Sequence, residues 1–550
     1  MTMTQDEDVR RRSQMAEVDA ALARNDYAKA AELARVATDE GLRHPKLLSV
    51  IAFSLFDSRR PEDALPLLDE ADALSPGNPN ILHGRACCLA DIGRKVDALI
   101  AFDKVLALRP GFAPSHYQKG RVLASLNDPD AAAREYELAI ASDPHYADAL
   151  GARAYGAASQ GQLDRARDFA SRALRVDPGL PIARIALATA DLTDGQLEAA
   201  EERLRGLLAD PAVDTGYRAT CLSVLGDVLD RRQRFDEAFE AYDESMHLAH
   251  AEGEGSWVAG AAKALMERFV DLRDFAGTLD PWEPPTHIEA HGGDAVGHVF
   301  LVGFPRSGTT LLEQVLASHP DVVTLEERLF LRPAEDEFMV DADGLARLAK
   351  APDETLAAYR TLYWQDVADR GVEAGGKILV DKLPLGSLLL PLIGRIFPGS
   401  RVLFALRDPR DVVLSCFRRA FALNPAMYQF TTLPGTAMFY DRAMALVTEY
   451  RRIVPLPLHV VRHEALVQDF EPRAREICDF LGVGWNEAMR DFAATAARRT
   501  INTPSGPQVR RGLSMEGIGH WRHYRRHLAT VLPTIAPWVE RFGYEPEPAE

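Results

Sequence analysis

The chain has 550 residues, which at roughly 100–200 residues per domain leaves room for three or four units. With 47% hydrophobic and 26% charged residues it has the composition of a globular protein, which excludes a disordered, collagen-like or disulfide-scaffold chain. The formal net charge of −18 lies almost wholly before residue 300, a surface that repels nucleic acid; the second half is near neutral and can hold a cationic pocket. No stretch approaches the roughly 18–20 apolar residues of a membrane span, and MTMTQDEDVRRRSQ has no apolar run like that of a secretory signal. The five cysteines are scattered without a metal-ligand spacing, so a reducing cytoplasmic setting is expected. Arginine far outnumbers lysine, a bias that genome composition imposes and that points to a bacterial source.

The first half is periodic. Pro76, Pro110, Pro144 and Pro178 stand 34 residues apart, and Pro211 follows at 33. Ala64, Ala98, Ala132, Ala166 and Ala200 keep the same beat. Small residues (Ala86, Gly120, Ala154, Ala188) precede four of these alanines by 12 positions. This pattern resembles the tetratricopeptide repeat family, a helix–turn–helix of 34 residues that implies an all-α solenoid. Six or seven repeats are expected over residues 12–250. Such surfaces bind peptides or proteins; a spacer or dimerisation platform is the alternative, and oligomeric state is left open.

Residues 251–296 read as an amphipathic capping helix and a linker. Trp257, Ala261, Leu265 and Phe269 fall near helical spacing. His287, His291 and His298 lack the spacing of a metal site, and none is expected.

From residue 297 the pattern changes to short apolar strands. GHVFLVGF, then PRSGTT, then a helical stretch make a strand, a loop and a helix, the parts of a phosphate cradle. Gly308 permits close backbone approach, Thr309 and Thr310 carry hydroxyls, and Arg306 carries a permanent charge. Gly303 and Gly308 have the GxxxxG spacing of a Walker A loop, but Thr309 occupies the lysine position, which counts against an ATP-dependent kinase. A second cluster lies in RVLFALRDPRDVVLSCFRRAF, where Arg407 ends an expected strand and Ser415 lies in the next helix. An arginine fork with a hydroxyl suits a terminal phosphate.

VFLVGFPRSGTTLLEQVLASHPDV resembles the 5′-phosphosulfate-binding loop of sulfotransferases, and RVLFALRDPRDVVLSCFRRAF resembles their 3′-phosphate segment. The pattern is most similar to tyrosylprotein sulfotransferases and bacterial relatives fused to tetratricopeptide repeats. It implies a P-loop-like α/β domain with a parallel sheet over residues 297–545. It also implies 3′-phosphoadenosine-5′-phosphosulfate (PAPS) as sulfuryl donor, no metal, and a hydroxyl acceptor: a protein tyrosine held by the repeats, a glycan or a small molecule. By resemblance Pro305, Arg306, Ser307, Gly308, Thr309 and Thr310 hold the 5′ end of the donor. Arg407, Ser415 and Arg419 hold its 3′-phosphate, and Arg511 aligns with a basic residue of a segment that covers it. The catalytic base falls at Glu327, with Glu326 as the alternative; the flanking Leu325 and Arg328 replace the glycine and threonine of those enzymes. Lys382 in VDKLP matches the lysine that reaches the transferred group, although Leu383 replaces the aspartate of that turn. The alternatives are a P-loop nucleotide kinase, or a repeat scaffold whose sulfotransferase half is vestigial.

Overall fold

A computed structural model describes residues 5–126, 128–283, 294–499, 506–510 and 512–546. The chain forms two compact units, Met1–Ala190 and Asp191–Glu550. The first contains five helical hairpins: Gln5–Ala23 with Tyr27–Asp39, Pro45–Asp57 with Pro61–Leu74, Pro79–Asp91 with Lys95–Leu108, Ala113–Ser125 with Pro129–Ser142, and Ala147–Ser159 with Leu163–Val176. Proline is favoured in the first helical turn, where its missing N–H would have no partner in any case; Pro45, Pro61, Pro79 and Pro129 stand there. The periodic prolines Pro76, Pro110, Pro144 and Pro178 lie just past helix ends. The periodic alanines Ala64, Ala98, Ala132 and Ala166 are buried. Close approach is why small residues recur: a Cβ on Gly120 would lie 2.6 Å from the Tyr136 ring of the partner helix.

The second unit begins within helix Pro181–Thr193 and continues through Leu197–Leu208 to the hairpin Thr215–Arg231 with Phe235–Glu254. Gly226 faces Tyr242 across this hairpin; a Cβ there would lie 2.5 Å from the ring. Among the described residues seven consecutive helical pairs thus run from Gln5 to Glu254. The next helix, Trp257–Gly277, packs on helix Leu433–Ile453 through Phe269 and Phe439 and through Arg442, whose guanidinium donates to Met266 O.

A five-stranded parallel sheet follows, built from β1 Gly297–Gly303, β2 Val322–Glu326, β3 Ile378–Lys382, β4 Arg401–Leu406 and β5 Leu458–Arg462 in the order β2-β3-β1-β4-β5. β1 is buried along its whole length, as parallel strands covered on both faces are. Val299, Leu301, Leu403 and Val461 face helices Thr309–Ala317 and Phe470–Leu481 through Val315 and Ile477. Phe300 and Phe304 face the other way, onto Phe397, Phe439 and Tyr440. β1 therefore leads to β2 over one face, while β3 leads to β4 through Pro384–Ile396 on the other. The order reverses at β1, and ligands of open α/β sheets bind beyond the carboxyl ends of the strands at such a point.

Two glycine substitutions test the packing in opposite directions. Gly226→Ala forces a methyl into Tyr242, whose buried ring cannot retreat, and should cost about 1–3 kcal/mol in denaturant unfolding. Gly156→Ala lies within helix Ala147–Ser159 with no atom within 4 Å of the new methyl, and should gain about 0.5–1 kcal/mol.

Candidate active site

The site lies beyond the carboxyl ends of β1, β3 and β4. After β1 the chain turns through Phe304, Pro305, Arg306, Ser307 and Gly308 into helix Thr309–Ala317. Ser307 N donates to Phe304 O at 3.1 Å. Arg306 (φ 69°) and Gly308 (φ 95°) are both left-handed, and Gly308 caps the N-terminus, the positive end, of the helix. The bend is costly at Arg306, because L side chains crowd the backbone there. Gly308 is required: a Cβ would meet His463 Nδ1 at 2.6 Å. Gly303 is equally constrained, since a Cβ would lie 2.6 Å from Ala405 O on β4. Ser307, Thr309 and Thr310 are buried beside the loop.

The two segments singled out by sequence meet here. Arg306 Nε donates to Ser415 Oγ at 3.0 Å, and Arg407 Nη1 donates to Arg306 O at 3.1 Å. Cys416 Sγ donates to Pro305 O at 3.4 Å. Arg407 also donates to Gly517 O, which ties in a C-terminal strap; Gly519 N and Trp521 N donate to Asp411 at 2.7 and 2.9 Å. Arg419 Nη1 donates to Asp227 Oδ2 at 2.6 Å. Arg511 lies outside the described residues. Burial pushes the Arg306 guanidinium down to about 9, and the charges of Arg419, Arg407 and Arg418 push the same way. So many cations in one place call for an anion. Arg407 Nε and His463 Nδ1 are buried polar atoms with no hydrogen-bond partner among the described residues. The loop at the helix N-terminus, the arginines beside it and these two atoms fit a phosphorylated group. His463, to which the sequence assigned no role, opens the helix after β5, and only the sheet order brings it to the loop. Burial, with Arg407 and Arg306 beside it, pushes its imidazole down to about 3, so it is uncharged at neutral pH.

The ends of β2 and β3 hold the second half of the site. Parallel pairing sets Lys382 beside Leu301 and Glu326. Lys382 is fully buried, and its Nζ donates to Glu327 Oε1 at 2.8 Å, with Glu313 Oε2 at 3.2 Å and Glu326 Oε1 at 3.8 Å. Burial opposes its charge, yet Glu313, Glu327 and Glu326 outweigh burial and hold the ammonium pKa above the ordinary lysine value. Glu327 has a φ of 35°, strain localised at the residue read as the base. Both members of the Glu326–Glu327 pair reach the lysine, Glu327 more closely. Glu313 is a component that sequence reading missed. It is 1% exposed on the loop helix and accepts a 3.3 Å bond from Thr324 Oγ1. A glutamate within LLEQVLAS was its only signal.

His298 Nε2 lies 2.8 Å from Tyr363 Oη, and Tyr363 donates to Asp381 Oδ2 at 3.0 Å. Burial raises Asp381 to about 7. His287 and His291 lie outside the described residues. Among the described residues no three His, Cys, Asp or Glu side chains are grouped to hold a metal, and no helix is long and apolar enough to cross a membrane.

Residues 298–487 match the model of the sulfotransferase family. Residues 15–79, 51–111, 117–181 and 157–221 match tetratricopeptide repeat models. An uncharacterized protein of Aquifex aeolicus is 26% identical over 60% of this chain and 43% of its own length, so the chain spans less than half of that relative. Protein-tyrosine sulfotransferase 2 of Gallus gallus is 26% identical over 47% of this chain and 72% of its own. Among solved structures, MamA of Desulfovibrio magneticus RS-1 is 25% identical over 31% of this chain and 95% of its own, with a TM-score of 0.27. The chain carries tetratricopeptide repeats over residues 15–221 and a sulfotransferase-family domain over residues 298–487.

Proposed function

We propose that this protein is a sulfotransferase using PAPS as donor and a hydroxyl group, foremost a protein tyrosine, as acceptor. The Arg306–Ser415 bond carries the reading, because it joins two phosphate-type segments 109 residues apart into one cationic site. When bound, the donor supplies an electrophilic sulfuryl group and a bisphosphate leaving group. The loop of residues 305–310 and the positive end of its helix hold the 5′ side. Arg407, Ser415 and Arg419 hold the 3′-phosphate, and Arg511 is kept as a candidate on resemblance alone. Glu327 takes the proton of the acceptor hydroxyl. Lys382, 2.8 Å away, orients Glu327 and places positive charge beside the reacting atoms. Thr309 at the Walker lysine position disfavours ATP as donor. The tyrosine acceptor is supported by the names of relatives such as the chicken protein and by the repeats, a class that binds proteins.

Calorimetry on the full chain tests the donor. Adenosine 3′,5′-bisphosphate should bind far more tightly than AMP; equal affinities would remove the 3′-phosphate assignment. Arg407→Ala should weaken the bisphosphate by about 1.5–3 kcal/mol, the scale of a hydrogen bond to a charged group.

Labelled donor with a tyrosine peptide and its phenylalanine counterpart tests the acceptor; label on both would exclude the phenol. In the same assay Glu327→Gln should lower kcat by about 10²–10⁴ and leave bisphosphate binding nearly intact. Glu326→Gln should do much less, since its carboxylate stands 3.8 Å from Lys382. The reverse order would move the base to Glu326.

A further inference from the structure

The last helical hairpin, Thr215–Arg231 with Phe235–Glu254, lies in the same compact unit as the sheet and supplies two carboxylates to its arginines. Asp227 Oδ2 accepts from Arg419 Nη1 at 2.6 Å, and Asp227 Oδ1 accepts from Tyr242 Oη at 2.8 Å. Asp230 Oδ2 accepts from Arg418 Nη2 at 2.9 Å. Asp230 Oδ1 accepts from His520 Nε2 at 2.9 Å and from Tyr524 Oη, both on the C-terminal strap. Arg418 also donates to Tyr242 Oη at 3.0 Å, and its guanidinium lies over the rings of Tyr242 and Tyr524 at 4.9 and 5.5 Å. Arg418 and Arg419 directly follow the helix that carries Ser415.

An arginine side chain is long and has many rotamers, so a site that must grip an anion gains by ordering it beforehand. A guanidinium has five N–H donors in a planar fork. Asp227 engages one nitrogen of Arg419 and leaves the others able to meet a second anion. Asp230 holds Arg418 from one oxygen and the strap from the other, and the same strap accepts from Arg407 at Gly517 O. Neither aspartate lies within residues 298–487, the stretch that matches the sulfotransferase family; both stand on the last helical hairpin.

We propose that Asp227 and Asp230 are positioning residues of the 3′-phosphate pocket, Asp227 through Arg419, Asp230 through Arg418 and the strap, so that the last repeat is a wall of the nucleotide site. The proposal rests on the sulfotransferase reading above. It makes the hairpin specific to the 3′-phosphate: disturbing it should affect ligands that carry this group and spare those that lack it.

The test is calorimetry of full-length wild type, Asp227→Asn and Asp227→Glu with adenosine 3′,5′-bisphosphate and with AMP. Asp227→Asn should weaken the bisphosphate about tenfold and leave AMP within about twofold, and Asp227→Glu should restore part of the loss. Unchanged or tighter bisphosphate binding by Asp227→Asn, with the wild type still preferring bisphosphate, overturns the positioning role alone. Equal weakening of both ligands makes the contact merely structural and overturns it too. A wild type that does not distinguish the two ligands overturns the sulfotransferase reading and this inference together. If Asp227→Asn does not fold, Tyr242→Phe keeps the ring beneath Arg418 and removes the hydroxyl bonds to Asp227 and Arg418. It should weaken the bisphosphate about threefold with AMP unchanged, and wild-type affinity for both ligands overturns the proposal.

Discussion

Half-buried positive charge at the carboxyl ends of β1 and β4 is the constraint around which the second unit is organised. Arg306, Arg407, Arg418 and Arg419 stand close enough for Arg306 to respond to the other three. Taking such charges out of water is expensive unless each meets a polar partner. The fold supplies those partners from three directions: the Ser415 hydroxyl, the carbonyls of Arg306 and Gly517, and the carboxylates of Asp227 and Asp230. The loop, the strap and the last hairpin meet where they do because each satisfies part of one guanidinium cluster. Asp230 shows the balance: burial pushes its pKa up, but His520 and Arg418 hold it well below the usual carboxylate range.

The opposite charge pattern holds at the ends of β2 and β3. One buried ammonium is surrounded by three carboxylates, of Glu313, Glu326 and Glu327. The proposed reaction uses both signs: cations for a phosphorylated donor, a carboxylate for the acceptor proton. Left-handed backbone at Arg306 and Glu327 falls at the two places where the chain turns from a strand end into the site. Strain at such positions is held by the packing around it, here a fully buried β1 and the close pairing of Gly303 with Ala405.

The division at residue 190 alters the view of the repeats. The hairpin Thr215–Glu254 continues the helical periodicity in sequence, yet its Asp227, Asp230, Tyr242 and Gly253 make contacts with residues 418–428 and 520–524. Periodicity reports the packing of a repeat on itself; it is silent about a second surface the same helices offer.

Much of the molecule is legible in sequence alone. The 34-residue beat of prolines and small residues determines the helical hairpins, because it places helix stops and close contacts at fixed intervals. The stretches 297–304, 377–380 and 401–406, and the start of 458–466, read as strands, and PRSGTT and RDPRDVVLS supply the hydroxyls and arginines of the candidate site. These are local properties, set by side-chain size, charge and backbone freedom within a few positions. Only the tertiary structure decided that Arg306 reaches Ser415, that Glu313 shares Lys382 with Glu326 and Glu327, that His463 closes on Gly308, and that Asp227 and Asp230 answer Arg419 and Arg418. Each joins elements far apart in the chain, and their meeting depends on strand order and hairpin docking, which no spacing in the sequence encodes.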